Sequence, residues 1–188
     1  TVERWSIDPL RCVEPVCVLD PPAEKVSWIP NQDRLIALNE EGSLLRVDLA
    51  SGEQKELAAP GVRPSEFSVS GSGEWLAVST QANRIRLLAI GGDKLEDQNR
   101  PKWETIPNTE ALDNGWIVSL EWSADSRHLA AINESGNLSV WRVHATQDSG
   151  AALIREVQSM AIDGKNIVSM HWDQTDLVIG DASGMVTV

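Results

Sequence analysis

Four stretches of the chain share one pattern of residues, and this internal repeat constrains the fold more than any single motif. They are WIPNQDRLIALNEEGSLLRVDL from Trp28, VSGSGEWLAVSTQANRIRLLAI from Val69, WSADSRHLAAINESGNLSVWRV from Trp122 and WDQTDLVIGDASGMVTV from Trp172. In the first three, seven positions lead from the anchor to Leu35, Leu76 and Leu129; the fourth is two residues shorter and reaches Leu177. Seven more positions then lead to Gly42, Asn83, Gly136 and Gly184.

Each unit reads as the same succession of strands. A short apolar run ends at the anchor (VSW, FSV, IVSLEW, IVSMHW), and a polar turn follows (PNQD, SGSG, SADS, DQT). A second apolar run comes next: LIAL, WLAV, HLAAI, LVIG. The tight turn after it needs φ > 0, which glycine supplies three times and Asn83 once. An alternating third strand follows (LLRVDL, IRLLAI, LSVWRV, MVTV), and EQKEL, KWETI and ALIREV offer a fourth, outer strand. The pattern predicts four-stranded antiparallel meanders.

Residues 117–142, IVSLEWSADSRHLAAINESGNLSVWR, resemble a WD40 repeat. Trp122 stands where that family has an aromatic residue closing its first strand, SADS at its Ser-Pro-Asp-Gly turn, and LAA at the start of its second strand. Gly136 matches the turn glycine and Trp141-Arg142 the Trp-Asp pair; Val47-Asp48, Leu88-Ala89 and Trp5-Ser6 occupy that place in other units. The resemblance covers nearly the whole chain and implies an all-β fold, a β-propeller of four-stranded antiparallel WD40-like blades. The family's Gly-His pair is absent, and only Asp48 keeps the aspartate of the Trp-Asp pair. Glu40, Gln81, Glu134 and Ala182 stand where the tight turn has an aspartate. These departures imply blades that depend on apolar packing, and VDLASGEQKEL, residues 47–57, suits a TolB-like or quinoprotein-like propeller equally.

The repeat divides the chain into the end of one blade at 1–20, blades at 24–58, 64–107 and 116–158, and the start of a further blade at 166–188. Seventeen strands are one more than a closed four-bladed ring holds, and an open arc exposes strand edges. The chain also starts at Thr1 rather than Met. A piece of a larger ring is therefore expected, seven-bladed by the resemblance, completed by more of the same protein or by a second chain.

Composition narrows the function. Acidic residues outnumber basic ones 28 to 16, a formal charge of −12 that argues against nucleic acid. No apolar run is long enough to span a membrane as a helix. Cys12 and Cys17 have no second cysteine pair to complete a zinc site, and His128, His144 and His171 lack ligand spacing with them. No G-x-S-x-G, HExxH or Walker loop occurs. Asp125, Asp173 and Asp176 fall in blade turns, where aspartates usually bond their own backbone.

The expectation is therefore a non-enzymatic, cytoplasmic interaction module without metal or cofactor, holding protein partners as part of a larger chain or complex. The alternative is a small-molecule-binding or enzymatic propeller with a site in its central channel. That site would need charged residues at the first-strand starts, where Val26, Phe67, Val118 and Val168 are read instead. Trp28, Trp122 and Trp172 share one register and are expected in the core. Trp75 has Arg34, His128 and Asp176 as counterparts and is expected at the surface. With Arg100, Lys102, Trp103 and Trp116 of the 91–116 insertion, it forms the predicted partner contact, by the enrichment of aromatic and Arg residues in binding hot spots.

Overall fold

The computed structural model describes residues 2–7, 10–57, 64–91, 103–145, 152–162 and 166–187. Among these, the strands form five antiparallel sheets, each pairing in sequence order. The first blade holds β1 (Val2–Ile7) and β2 (Leu10–Cys17). The second holds β3 (Ala23–Trp28), β4 (Arg34–Asn39), β5 (Leu44–Asp48) and β6 (Gln54–Glu56). The third holds β7 (Pro64–Val69), β8 (Trp75–Thr80), β9 (Ile85–Ala89) and β10 (Trp103–Thr105). The fourth holds β11 (Ile117–Trp122), β12 (His128–Asn133), β13 (Asn137–Ala145) and β14 (Ala152–Ala161), with a 3-10 turn at Glu110–Leu112 before it. The fifth holds β15 (Ile167–Asp173), β16 (Asp176–Asp181) and β17 (Val186–Thr187). This is a partial β-propeller.

The turn between second and third strands has φ of 79° at Gly42, 53° at Asn83, 85° at Gly136 and 86° at Gly184. A side chain three residues earlier closes each turn. Asn39 Oδ1 accepts from the Ser43 N–H at 2.7 Å, Thr80 Oγ1 from Arg84 at 3.2 Å, Asn133 Oδ1 from Asn137 at 2.8 Å, and Asp181 Oδ1 from Met185 at 3.0 Å. The turn acceptor therefore sits one residue before Glu40, Gln81, Glu134 and Ala182, at a position where every unit has a short polar side chain.

The second strands β4, β8 and β12 are buried on both faces because a blade lies on either side of each. Ile36 and Leu38 pack with Leu76 and Val78 of the third blade. Ala77 points the other way, into a cluster with Leu129, Ala131 and Trp141 of the fourth. Ala130 and Ile132 pack in turn on Met170 and Ile179 of the fifth. The core is thus a series of inter-blade layers rather than one centre.

This layering corrects two expectations about tryptophan. Trp75 is only 6% exposed: it lies two residues before Ala77 on β8, so it shares that residue's face and packs in the same cluster as Trp122. Trp28 is 52% exposed although Trp122, at the same register, is buried. These first-strand tryptophans face the preceding blade. Trp122 meets β7 there, donating from Nε1 to the Ser68 carbonyl at 3.2 Å, whereas among the described residues no first strand of a preceding blade stands beside β3. Trp172 is partly buried and stacks on His128, with ring centroids 6.2 Å apart.

Adjacent blades also meet at their first turns. Gly73 has φ of 71°, and a Cβ there would lie 2.7 Å from the Pro30 carbonyl oxygen.

Two substitutions test this packing. Trp122→Ala is expected to lower unfolding free energy by about 3–5 kcal/mol, measured by urea denaturation, while Trp116→Ala, at a 55% exposed residue, changes it by less than about 1 kcal/mol. Gly73→Ala is expected to cost about 1–2 kcal/mol from backbone conformation alone, more with the carbonyl clash; an unchanged denaturation midpoint would contradict the inter-turn contact.

Candidate functional site

The first strands of neighbouring blades lie against one another, β3 on β7, β7 on β11 and β11 on β15, so they form the inner edge of the arc. All four carry a β-bulge near their start, between Ala23 and Lys25, Pro64 and Glu66, Ile117 and Ser119, and Ile167 and Ser169. A bulge inserts one residue and re-aims the side chains beyond it. The residues after the bulge then alternate in a common register.

One set in that register is apolar and faces the preceding blade: Val26, Phe67, Leu120 and Met170. The residues on either side of it are polar in every blade. Lys25, Glu66, Ser119 and Ser169 make one rung; Ser27, Ser68, Glu121 and His171 make the next. Four titratable side chains, Lys25, Glu66, Glu121 and His171, thus come from four consecutive blades on one inner edge. Val26, Phe67, Val118 and Val168 mix two registers, because the last two are themselves the bulged residues. That is why the charged positions escaped the reading of the sequence; the recurrent strand-pairing shift that reveals them is a property of the folded sheet.

The charges interact along the ladder. Lys25 Nζ lies 2.5 Å from Glu66 Oε2 and 5.2 Å from the centroid of the Phe67 ring, so the cation is held by a carboxylate and an aromatic face together. Burial pushes the Glu121 carboxyl above its ordinary value; the His171 and Lys25 charges oppose the shift and the Glu66 carboxylate adds to it. Ser119 Oγ donates to the Met170 carbonyl at 3.5 Å, tying β11 to β15. A carboxyl held protonated above its usual range, with an imidazole on the next strand and hydroxyls around it, can give and take protons and bind a polar ligand. Among the described residues no three His, Cys, Asp or Glu side chains are grouped to hold a metal ion.

The turn carboxylates behave in the opposite way. Asp48 is lowered by bonds from Ser51, Asp125 by bonds from Ser123 and Arg127, and Asp181 by bonds from Ser183 and Met185. Asp125 Oδ1 accepts the Arg127 N–H at 3.0 Å, a local turn bond.

The predicted contact residues are dispersed. Trp75 is buried between the third and fourth blades. Trp103 begins β10, pairs with Leu88 and packs on the layer between the second and third blades. Trp116 is exposed just before β11, its N–H donating to Glu134 Oε1 at 3.3 Å. Arg100 and Lys102 lie outside the described residues.

No family model matches the sequence, and no curated protein matches it. Among solved structures the chain is similar to the periplasmic gluconolactonase PpgL of Pseudomonas aeruginosa, at 17% identity with a TM-score of 0.62. The match covers 86% of this chain and 47% of that one, so the chain spans about half of that protein's length. The likeness supports the propeller but not the WD40 family within it. It also overturns two expectations. A non-enzymatic module was expected, yet an enzyme has this arrangement of sheets; a cytoplasmic location was expected, yet that enzyme is periplasmic.

The raised Glu121 carboxyl has a measurable consequence. Between 4.5, its ordinary value, and its raised value, the native chain holds a proton that the unfolded chain has lost. Stability from this group is therefore full below that window and falls as pH rises through it. In thermal melts from about pH 4 to about pH 8, the wild type should lose stability relative to Glu121→Gln as pH rises. Parallel profiles would contradict the shift.

Proposed function

We propose that the inner edge of this propeller binds and turns over a small polar molecule, the substrate class being hydroxylated lactones and related small esters. The observation that carries the reading is the joining of Lys25, Glu66, Glu121 and His171 on the inner strands of four consecutive blades, with Glu121 raised by burial. The similarity to a gluconolactonase supports the choice of lactone. The serine hydroxyls and the Lys25–Glu66 pair suit a ligand rich in hydroxyl groups.

The chemistry needs only water as co-reactant. Ionised Glu121 takes a proton from a water that attacks the ester carbonyl. The ring C–O bond then breaks, and the proton that Glu121 took from the water passes to the departing alkoxide, leaving a hydroxy acid and Glu121 ionised again.

Proton release from glucono-δ-lactone, measured above the spontaneous rate, tests this. The chain is expected to accelerate hydrolysis, and Glu121→Gln to lower kcat by about 100-fold or more with KM little changed. Wild-type protein that neither binds nor hydrolyses the lactone would overturn the reading.

A further inference from the structure

The layer between the second and third blades is basic at its outer end. Directly opposed residues of an antiparallel pair share a face, so each wall of the layer reads as a row across its blade. On the second blade the row runs Ser27, Ile36, Arg46, Lys55. On the third it runs Phe67, Val78, Arg86, Thr105. Ile36, Phe67 and Val78 belong to one buried cluster, so the two rows face each other. Their outer members bring two guanidinium groups, an ammonium and a hydroxyl to one layer.

The repeat does not ask for these charges. Leu87 and Val140 stand at the register of Arg46, and Leu45 and Ser139 at that of Arg86. At the layer between the third and fourth blades, the hydroxyls of Ser139 and Ser159 bond each other at 3.0 Å instead. The chain has 16 basic residues against 28 acidic ones, yet neither of the two facing rows contains an acid. Asp48 lies two positions beyond Arg46 on the same wall, but its carboxylate already accepts from Arg34 Nε at 3.4 Å and from the Ser51 N–H and hydroxyl.

The two arginines have donors to spare. Arg46 Nη1 and Arg86 Nε are buried without a hydrogen-bond partner, two of the three such side-chain atoms among the described residues. A buried donor with no acceptor is costly, and more so when it carries charge. Arg86 Nη1 donates to Thr105 Oγ1 at 2.7 Å, which holds that guanidinium along its row toward the outer strand.

We propose that the outer end of this layer binds a phosphate-type oxyanion, held by Arg46 and Arg86 from facing walls, with Lys55 and the Thr105 hydroxyl beside it. A tetrahedral dianion presents acceptors in several directions and so can bond both walls at once, and the guanidinium fork matches its oxygens. The bound anion would clamp the second blade to the third. Both blades have four strands, and the site is separate from the inner edge, so the proposal is independent of the chemistry assigned to Glu121.

The test uses the 188-residue chain with inorganic phosphate as the probe, at an ionic strength held constant with sodium chloride. Phosphate is expected to move the Arg46 and Arg86 Nε–Hε NMR signals saturably and to raise the melting temperature. Arg46→Leu places at this register the residue that the third blade has there. It is expected to fold, to melt at or above the wild-type temperature in chloride alone, and to bind phosphate about tenfold more weakly or worse. Arg86→Gln is expected to weaken binding similarly, while Arg127→Gln, in the first turn of the fourth blade, leaves it unchanged. General stabilisation by phosphate acts on all variants alike, so the difference between them is the readout. Phenyl phosphate separates the sources: tighter binding than inorganic phosphate assigns the site to the phosphoryl group of a larger molecule, weaker binding to the free ion, and either order supports it. A wild type with no saturable response, or Arg46→Leu and Arg86→Gln that respond as the wild type does, overturns the proposal.

Discussion

The second, third and fourth blades cannot be stable by themselves, because their second strands are buried on both faces. Leu35 to Leu38 on β4, and Leu129 to Ile132 on β12, are buried without a polar residue among them. An antiparallel sheet that faces water on one side alternates apolar and polar residues; these central strands do not. Each sheet must therefore be covered twice, and the repeat supplies the cover by stacking the next copy of itself. The layers between blades are the hydrophobic core, and the sharing of Trp75, Trp122 and Trp141 within one layer shows how neighbouring repeats interlock.

Stacking fixes the inner edge as well. When each blade presents its first strand to the same axis, one register position recurs beside itself in every blade. The recurrent bulge sets which position that is. Residues placed there approach one another although they are some 40 to 50 positions apart in the chain, as Lys25 and Glu66 do. The blades thus act as a frame that gathers one or two polar residues from each, and burial on that edge is what raises Glu121.

The strands, their grouping and their turns were legible in the sequence because they are local. A glycine or asparagine at φ > 0 and an alternation of apolar residues act within a few positions, and Gly42, Asn83, Gly136 and Gly184 mark the turns in every unit. The polar ladder was not legible, since a bulge is a feature of pairing and shifts the register by one residue. Trp75 was misplaced because its counterparts are polar while its own face is shared with Ala77. Trp28 was misplaced because burial of that register depends on which strands stand beside it, and repetition alone does not say whether a neighbour is there.

The central claim is that the inner edge holds a carboxyl whose affinity for a proton is raised by burial between blades. A carbon-detected NMR titration of the Glu121 carboxyl measures this without disturbing the site. The account predicts a midpoint above 4.5, and one that moves back toward that value when the blade packing is loosened by Trp122→Ala. A midpoint at or below 4.5 in the folded protein would contradict it.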